Sequence, residues 1–180
     1  MKKYKTARQS RVVISELMLP SHSNFSGKIH GGYILSLMDQ IAFACASKHS
    51  ETYCVTASVD KVDFLKPIEV GELVTMKASI NNVGTTSMVV GVRVESENIM
   101  TGKVKHCNSS YFSMVAKDSE GKSVPVPGLV LENETAVRRF VRSINRKEDV
   151  KARRDRFKAS EFKLEDHLEL LKEYNVQLAL

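Results

Sequence analysis

Residues 24–48 read NFSGKIHGGYILSLMDQIAFACASK, and the fold turns on how that stretch divides. Ser21 to Gly32 is rich in Ser, Asn and Gly and reads as a loop. Tyr33 to Lys48 consists of good helix formers and is apolar on nearly every side, with Ile34, Leu35, Leu37, Met38, Ile41, Phe43 and Ala44. A helix hydrophobic all round must be buried, because no face of it suits water. One side chain breaks the pattern. Asp39 is a carboxylate whose burial without partners is costly, so it must be paired, hydrogen-bonded or put to use.

The flanks supply what buries the helix. Arg11 to Leu19 mixes Val12, Val13, Ile14, Leu17 and Met18 with polar residues and stops at Pro20, as a strand entering a loop does. Beyond the helix, Val55, Ala57 and Val59 alternate with Thr56, Ser58 and Asp60. Leu73 to Val83, Ser87 to Glu95 and Lys103 to Val115 are strand-like as well, the second with Met88, Val90, Val92 and Val94 at period two. Pro67 with Gly71, then Gly84, then Gly102 punctuate the connections. Short turns imply antiparallel neighbours, since parallel ones need long crossovers. The expected order is one strand, a buried helix and four strands in meander. This is an α+β fold in which one curved antiparallel sheet wraps one long helix.

Pro125 and Pro127 mark a boundary after Lys122, so residues 1–122 read as the folded domain and 123–180 as a basic helical extension. Glu132 to Asn145 and Glu161 to Tyr174 are its expected amphipathic helices, the second carrying Phe162, Leu164, Leu168 and Leu171. The net charge of +6 is local. Arg138 to Lys158 holds ten Lys or Arg against three Asp or Glu, which leaves the remaining chain at −1. Such a run is a solvated helix face, a contact for a phosphorylated ligand, or a contact for acidic surfaces of neighbouring subunits. It lacks aromatic residues spaced for stacking on bases, and no helix-turn-helix signature accompanies it, which argues against nucleic acid as the partner.

Other classes fall away on composition. Tyr33 to Ala46 is too short for a membrane span and carries Asp39 and Gln40. No apolar signal core follows the N-terminal lysines, so a cytoplasmic protein is expected. Cys45, Cys54 and Cys107 are odd in number, far apart and set in apolar segments; they read as buried thiols in a reducing compartment. His22, His49, His106 and His167 have no mutual spacing suggestive of a metal site, and no metal is expected.

The chemistry gathers around the helix start. The glycine pair Gly31–Gly32 lets a ligand approach the backbone and leaves N–H groups that suit a developing oxyanion. Asp39 follows seven residues later, roughly 10 Å along the helix, so one carbonyl group cannot touch both. If both act on one carbonyl group, the carboxylate comes from a second copy of the chain in a two-fold dimer with antiparallel helices. His30, just before the glycines, is either a general base or a residue packed at the helix entry.

The spacing Asn24-x-x-Gly27-x-x-x-Gly31-Gly32 with Asp39 behind it, together with the run from Val62 to Glu72 (VDFLKPIEVGE), resembles the cytosolic acyl-CoA hydrolases of the hotdog thioesterase superfamily. The likeness covers about residues 8 to 117. It implies a hotdog fold and hydrolysis of acyl-CoA to a fatty acid and coenzyme A, with no cofactor required. In the family's terms Asp39 is the general base or nucleophile, and Asn24 positions the water or thioester from the opposing subunit. Gly31 and Gly32, with His30 beside them, polarise the carbonyl. The turn Gly84-Thr85-Thr86-Ser87 matches the family's coenzyme A path, although relatives often carry a basic residue at the place of Thr85. Arg138 and Arg139 are candidates to replace it, and the Gly-Thr-Thr-Ser run is equally well explained as plain turn chemistry. The resemblance further implies a dimer or a trimer of dimers, and a purine nucleotide as a regulator. A hotdog dehydratase or hydratase using His30, and a non-catalytic acyl-CoA-binding regulator, are the competing readings.

Overall fold

The computed structural model describes residues 3–156, 162–171 and 173–179, with side chains described through residue 152 of the first span. A short strand β1 (Tyr4–Thr6) and a helical turn α1 (Ala7–Ser10) precede β2 (Val12–Leu17), and the long helix α2 (Gly31–Ser50) follows. Then come β3 (Tyr53–Val59), β4 (Glu72–Val83), β5 (Ser87–Asn98), β6 (Lys103–Lys117), β7 (Gly128–Val130) and α3 (Glu134–Arg156). In the second half of the extension, a 3-10 turn at Leu164–His167 leads into the one-turn helix α4 (Leu168–Leu171). The helix expected over Glu161 to Tyr174 is thus confined to its middle, and Glu161 and Lys172 lie outside the described residues. The chain forms two compact units, residues 1–143 and 144–180.

Five strands form one antiparallel sheet in the order β2-β4-β5-β6-β3. The expected meander holds from β4 to β6, but β3 does not lie beside β4. It pairs with β6 at the far edge, Cys54 opposite Ala116 and Thr56 opposite Met114. The reason is the connection 60–71, which can reach about 40 Å when extended and so can cross the sheet. On its way it is pinned to β6 by Asp60 N–H to Tyr111 O and Leu65 N–H to Cys107 O. It is also pinned to the loop before α2, where Ile29 N–H donates to Ile68 O at 2.9 Å.

The sheet curls round one flank of α2. Ile34, Leu37, Met38, Ile41, Ala42, Cys45 and Ala46 pack against Met76, Ala78, Val90, Val92, Phe112 and Met114, all of them buried. Each large apolar side chain buried in this way contributes roughly 2 kcal/mol. The helix is not enclosed all round, however. Gly32, Ser36, Gln40, Phe43, Ala44 and Lys48 form an exposed stripe, with Asp39 half-buried at its margin. The apolar residues of the helix therefore serve the sheet on one side, and the exposed side is mostly small or polar apart from Phe43.

The C-terminal end of α2 is tied down by elements that sequence periodicity did not show. β1 pairs in parallel with β7, Lys5 opposite Leu129. Lys5 Nζ donates to the carbonyls of Lys48 and His49, and forms an ion pair with Glu51 at 2.8 Å. His49 is wholly buried, with Nε2 3.2 Å from Pro127 O and Nδ1 3.2 Å from Ser10 Oγ. A carbonyl only accepts, so Nε2 carries the proton and Nδ1 accepts from the serine. Burial pushes the His49 pKa below its ordinary 6.5. Above that pH both folded and unfolded chains hold the ring neutral. Below it the unfolded chain takes up a proton that the folded chain resists. Stability should therefore fall from pH 6.5 downward, by at most about 1.4 kcal/mol per pH unit from this group. Urea unfolding at pH 7.5, 6.5 and 5.5 checks this: His49→Gln, which cannot titrate, should show a shallower decline, and equal slopes would refute the assignment.

Candidate active site

Each expected participant sits where a local reason holds it. The loop before α2 closes as a turn, with Gly27 at φ 75 and its N–H bonded to Asn24 O at 3.0 Å. That left-handed conformation is easy only for glycine. The Asn24 side-chain carbonyl is fully engaged, accepting from Ser26 N–H, Ser26 Oγ and Lys28 N–H at 3.0, 2.7 and 3.2 Å. This fixes the amide orientation and leaves Nδ2 as the outward-facing donor. Next to it Phe25 is entirely exposed.

At the helix entry His30 is the N-cap. Its Nδ1 accepts the Gly32 N–H at 3.1 Å, while Tyr33 and Ile34 donate to the His30 carbonyl. The Gly32 amide already has a partner, so of the expected glycine pair Gly31 has the N–H directed to no acceptor among the described residues. Gly31 is also a position of close approach: a Cβ there would lie 3.2 Å from the Phe64 ring, which the crossing connection lays over the helix entry. Behind this entry His22 stacks on Tyr33 at 4.0 Å, and the Tyr33 hydroxyl donates to Glu16. That bond and burial raise the Tyr33 pKa.

Asp39 lies further along the same helix and opens on a cleft of about 510 Å³ lined by Gln40, Phe43, Tyr53, Val55 and Thr56. It is not alone. Thr56 Oγ1 donates to Asp39 Oδ1 at 2.6 Å, and Oδ2 has no hydrogen-bond partner among the described residues. Thr56 is the residue that sequence reasoning missed. It is the last regularly paired position before a bulge between Thr56 and Ser58 in β3. Such irregularities re-aim a side chain at a strand edge. One sequence carries no signal for it, because alternation alone makes Thr56 an ordinary polar strand residue.

The turn between β4 and β5 behaves chiefly as a turn. Gly84 N–H bonds Ser87 O, and the carbonyls of Thr86 and Thr85 hold Ala116 N–H and Val126 N–H. The side chains of this turn are exposed or half-buried. Arg139 lines a separate cavity with Arg8 and Arg11, whereas Arg138 does not, and none of Gly84–Ser87 borders that cavity. Among the described residues there is no group of His, Cys, Asp and Glu able to hold a metal ion. Nor is any described helix long and apolar enough to cross a membrane. The three cysteines are buried and unpaired, and burial pushes the Cys45 thiol up to about 12.

The sequence model of the thioesterase superfamily matches residues 26–103. The chain is 40% identical over 147 residues to the uncharacterized acyl-CoA thioester hydrolase YkhA of Bacillus subtilis, spanning 78% of this chain and 86% of that one. Among solved structures it is similar to a hexameric acyl-CoA thioesterase, with TM-score 0.81 and 37% identity over 84% of this chain and 97% of that chain. It is also similar to the acyl-CoA hydrolase of Staphylococcus aureus in complex with butyryl coenzyme A and coenzyme A, with TM-score 0.78 and 33% identity over 85% and 93%. Further structures of the Staphylococcus enzyme carry alanine in place of an asparagine, an aspartate or a threonine, and those three follow one another at the spacing of Asn24, Asp39 and Thr56. By its long helix, its curled sheet and these likenesses, the chain belongs to the thioesterase superfamily, within its hotdog-fold acyl-CoA hydrolases.

Proposed function

We propose that this chain hydrolyses acyl-CoA thioesters in a site completed by a second copy of itself, with Asp39 as the reacting carboxylate. The observation that carries the reading is the Thr56–Asp39 hydrogen bond beside an open cleft. One carboxylate oxygen is anchored and the other faces the cleft, free to take a proton from water or to attack the thioester carbonyl. Asn24 Nδ2 and the Gly31 N–H act as donors to the carbonyl oxygen, where negative charge develops. They stand near the start of α2 and Asp39 stands some two turns along it, a separation that one carbonyl cannot bridge. The exposed stripe of α2, the exposed Phe25 and the open edge of β3 are the surfaces on which a second copy packs. Assembly beyond the dimer, as a trimer of dimers, follows the hexameric relative. Coenzyme A leaves as product, and no metal enters any step. Gly84–Ser87 offers hydroxyls to the pantetheine path.

The thioester is already activated and its thiolate is a good leaving group, so a base, an oriented water and two donors suffice. The hydratase reading would need His30 as base, and its Nδ1 is committed to Gly32. Thiol release from acyl-CoAs running from acetyl to palmitoyl tests the function, and silence across the whole series would end it. Thr56→Val should reduce kcat by about 10- to 100-fold with KM little changed, the worth of one hydrogen bond to a charged group. Steady-state kinetics decide this, and an unaltered kcat would leave Thr56 without a role.

A further inference from the structure

Three arginines unused by the catalytic reading converge on a cavity of about 430 Å³, lined by Arg8, Arg11, Ser79, Glu132, Thr135 and Arg139 among others. Local geometry explains the convergence. Arg8 and Arg11, three residues apart at α1, project to one side. Val12 pairs with Ala78, so Arg11 stands across from Ser79 at the next step of the ladder. Ala78 and Ile80 face the core, which turns Ser79 to the opposite face of the sheet. Thr135 and Arg139 share a face of α3, four residues apart.

Two features of this cavity call for an occupant. Among the described residues no ion pair involves Arg8, Arg11 or Arg139, and Glu132 is the one acid in the lining. Ser79 is 9% exposed, and its hydroxyl has no hydrogen-bond partner among the described residues. The three guanidinium groups are exposed, so water screens their repulsion, but they stand as donors round a buried hydroxyl, and one group with several acceptor oxygens can engage all of them.

We infer that this cavity binds the phosphate group of a phosphorylated small molecule. Guanidinium forks match phosphate oxygens two at a time, and the Ser79 hydroxyl supplies a further donor. Among the described residues no aromatic side chain lines the space, so it recognises the phosphate and not a base. The phosphate comes either from a free phosphorylated ligand or from the nucleotide end of the thioester; the second source rests on the function proposed above.

Calorimetric titration of the full chain with pyrophosphate, ADP and coenzyme A tests the site without turnover, so its result is independent of Asp39. Pyrophosphate affinity should fall at least tenfold in the Arg11→Gln/Arg139→Gln double variant and several-fold in Ser79→Ala. Added salt should weaken it throughout. Arg8→Gln is the second variant should the double one fail to fold by circular dichroism. If the nucleotide end of the substrate sits here, pyrophosphate competes with coenzyme A and the double variant raises KM at constant kcat. If a free ligand sits here, pyrophosphate and coenzyme A bind independently and the phosphate affinity alone is lost. Either result supports the site. Pyrophosphate that fails to bind the wild type, or binds every variant as tightly, overturns it.

Discussion

Asp39→Asn is expected to lower kcat for acyl-CoA hydrolysis by about a thousandfold or more while leaving the fold intact. The replacement keeps size and shape, and the new amide oxygen still accepts the Thr56 hydroxyl that now bonds Oδ1 at 2.6 Å. What disappears is the charge on the second oxygen, the one free to accept a proton or form a bond. A positioned acid or base is worth about 10² to 10⁴ in rate, and a nucleophile at least as much. Binding should survive, because the groups expected to hold the coenzyme lie elsewhere. Steady-state kinetics and the thermal unfolding midpoint decide together: turnover within tenfold of wild type, at an unchanged midpoint, would remove Asp39 from the chemistry. After a single turnover in ¹⁸O-water, label in the Asp39 side chain would show that the carboxylate had formed an anhydride, since a general base takes up none.

Mixing two dead variants should restore activity. Asp39→Ala and Asn24→Ala each lack one half of every site when assembled alone. In a mixed pair, the protomer that keeps Asp39 meets the protomer that keeps Asn24, and one of the two sites is whole. Random exchange of equal amounts makes half of the pairs mixed, so recovery should approach about a quarter of wild-type activity. From a background near zero, that is a rise of two orders of magnitude or more. The prediction rests on distance, because the Gly31 amide at the start of α2 lies some two turns of helix from Asp39 within one chain. Co-refolding followed by thiol-release assay reads it, and a mixture no more active than its parents would put the whole site within one protomer.

These two expectations also mark how far the sequence could be read. The Asn24–Gly27–Gly31–Gly32–Asp39 pattern was legible because a turn glycine, a helix start and a lone carboxylate on an apolar helix each have a local physical signature. Helix α2 and strands β4 to β6 were legible for the same reason, since periodicity and turn residues act over short range. The position of β3 was not. Nothing local distinguishes a strand beside β4 from one carried across the sheet, and the hydrogen bonds of Asp60 and Leu65 to β6 that decide it are long-range. Thr56 was lost with it, because its meaning depends on which strand lies next to Met114. His30 kept two readings in the sequence. The structure makes it the cap of α2, an outcome set by one ring nitrogen 3.1 Å from an amide. The parallel β1–β7 pair joins segments of three residues each, too short to show a period.

The connection over residues 60–71 carries a consequence beyond topology. It leaves directly from the strand that holds Thr56 against Asp39, and within its first half it lays Phe64 over Gly31, where the helix begins. A single span of backbone therefore sets both the entry of α2 and the strand that anchors Asp39. Lengthening or shortening it should shift the Gly31 amide and the Asp39 carboxylate together, which makes this link the natural place for evolution, or an engineer, to tune the proposed reaction without touching a reacting group.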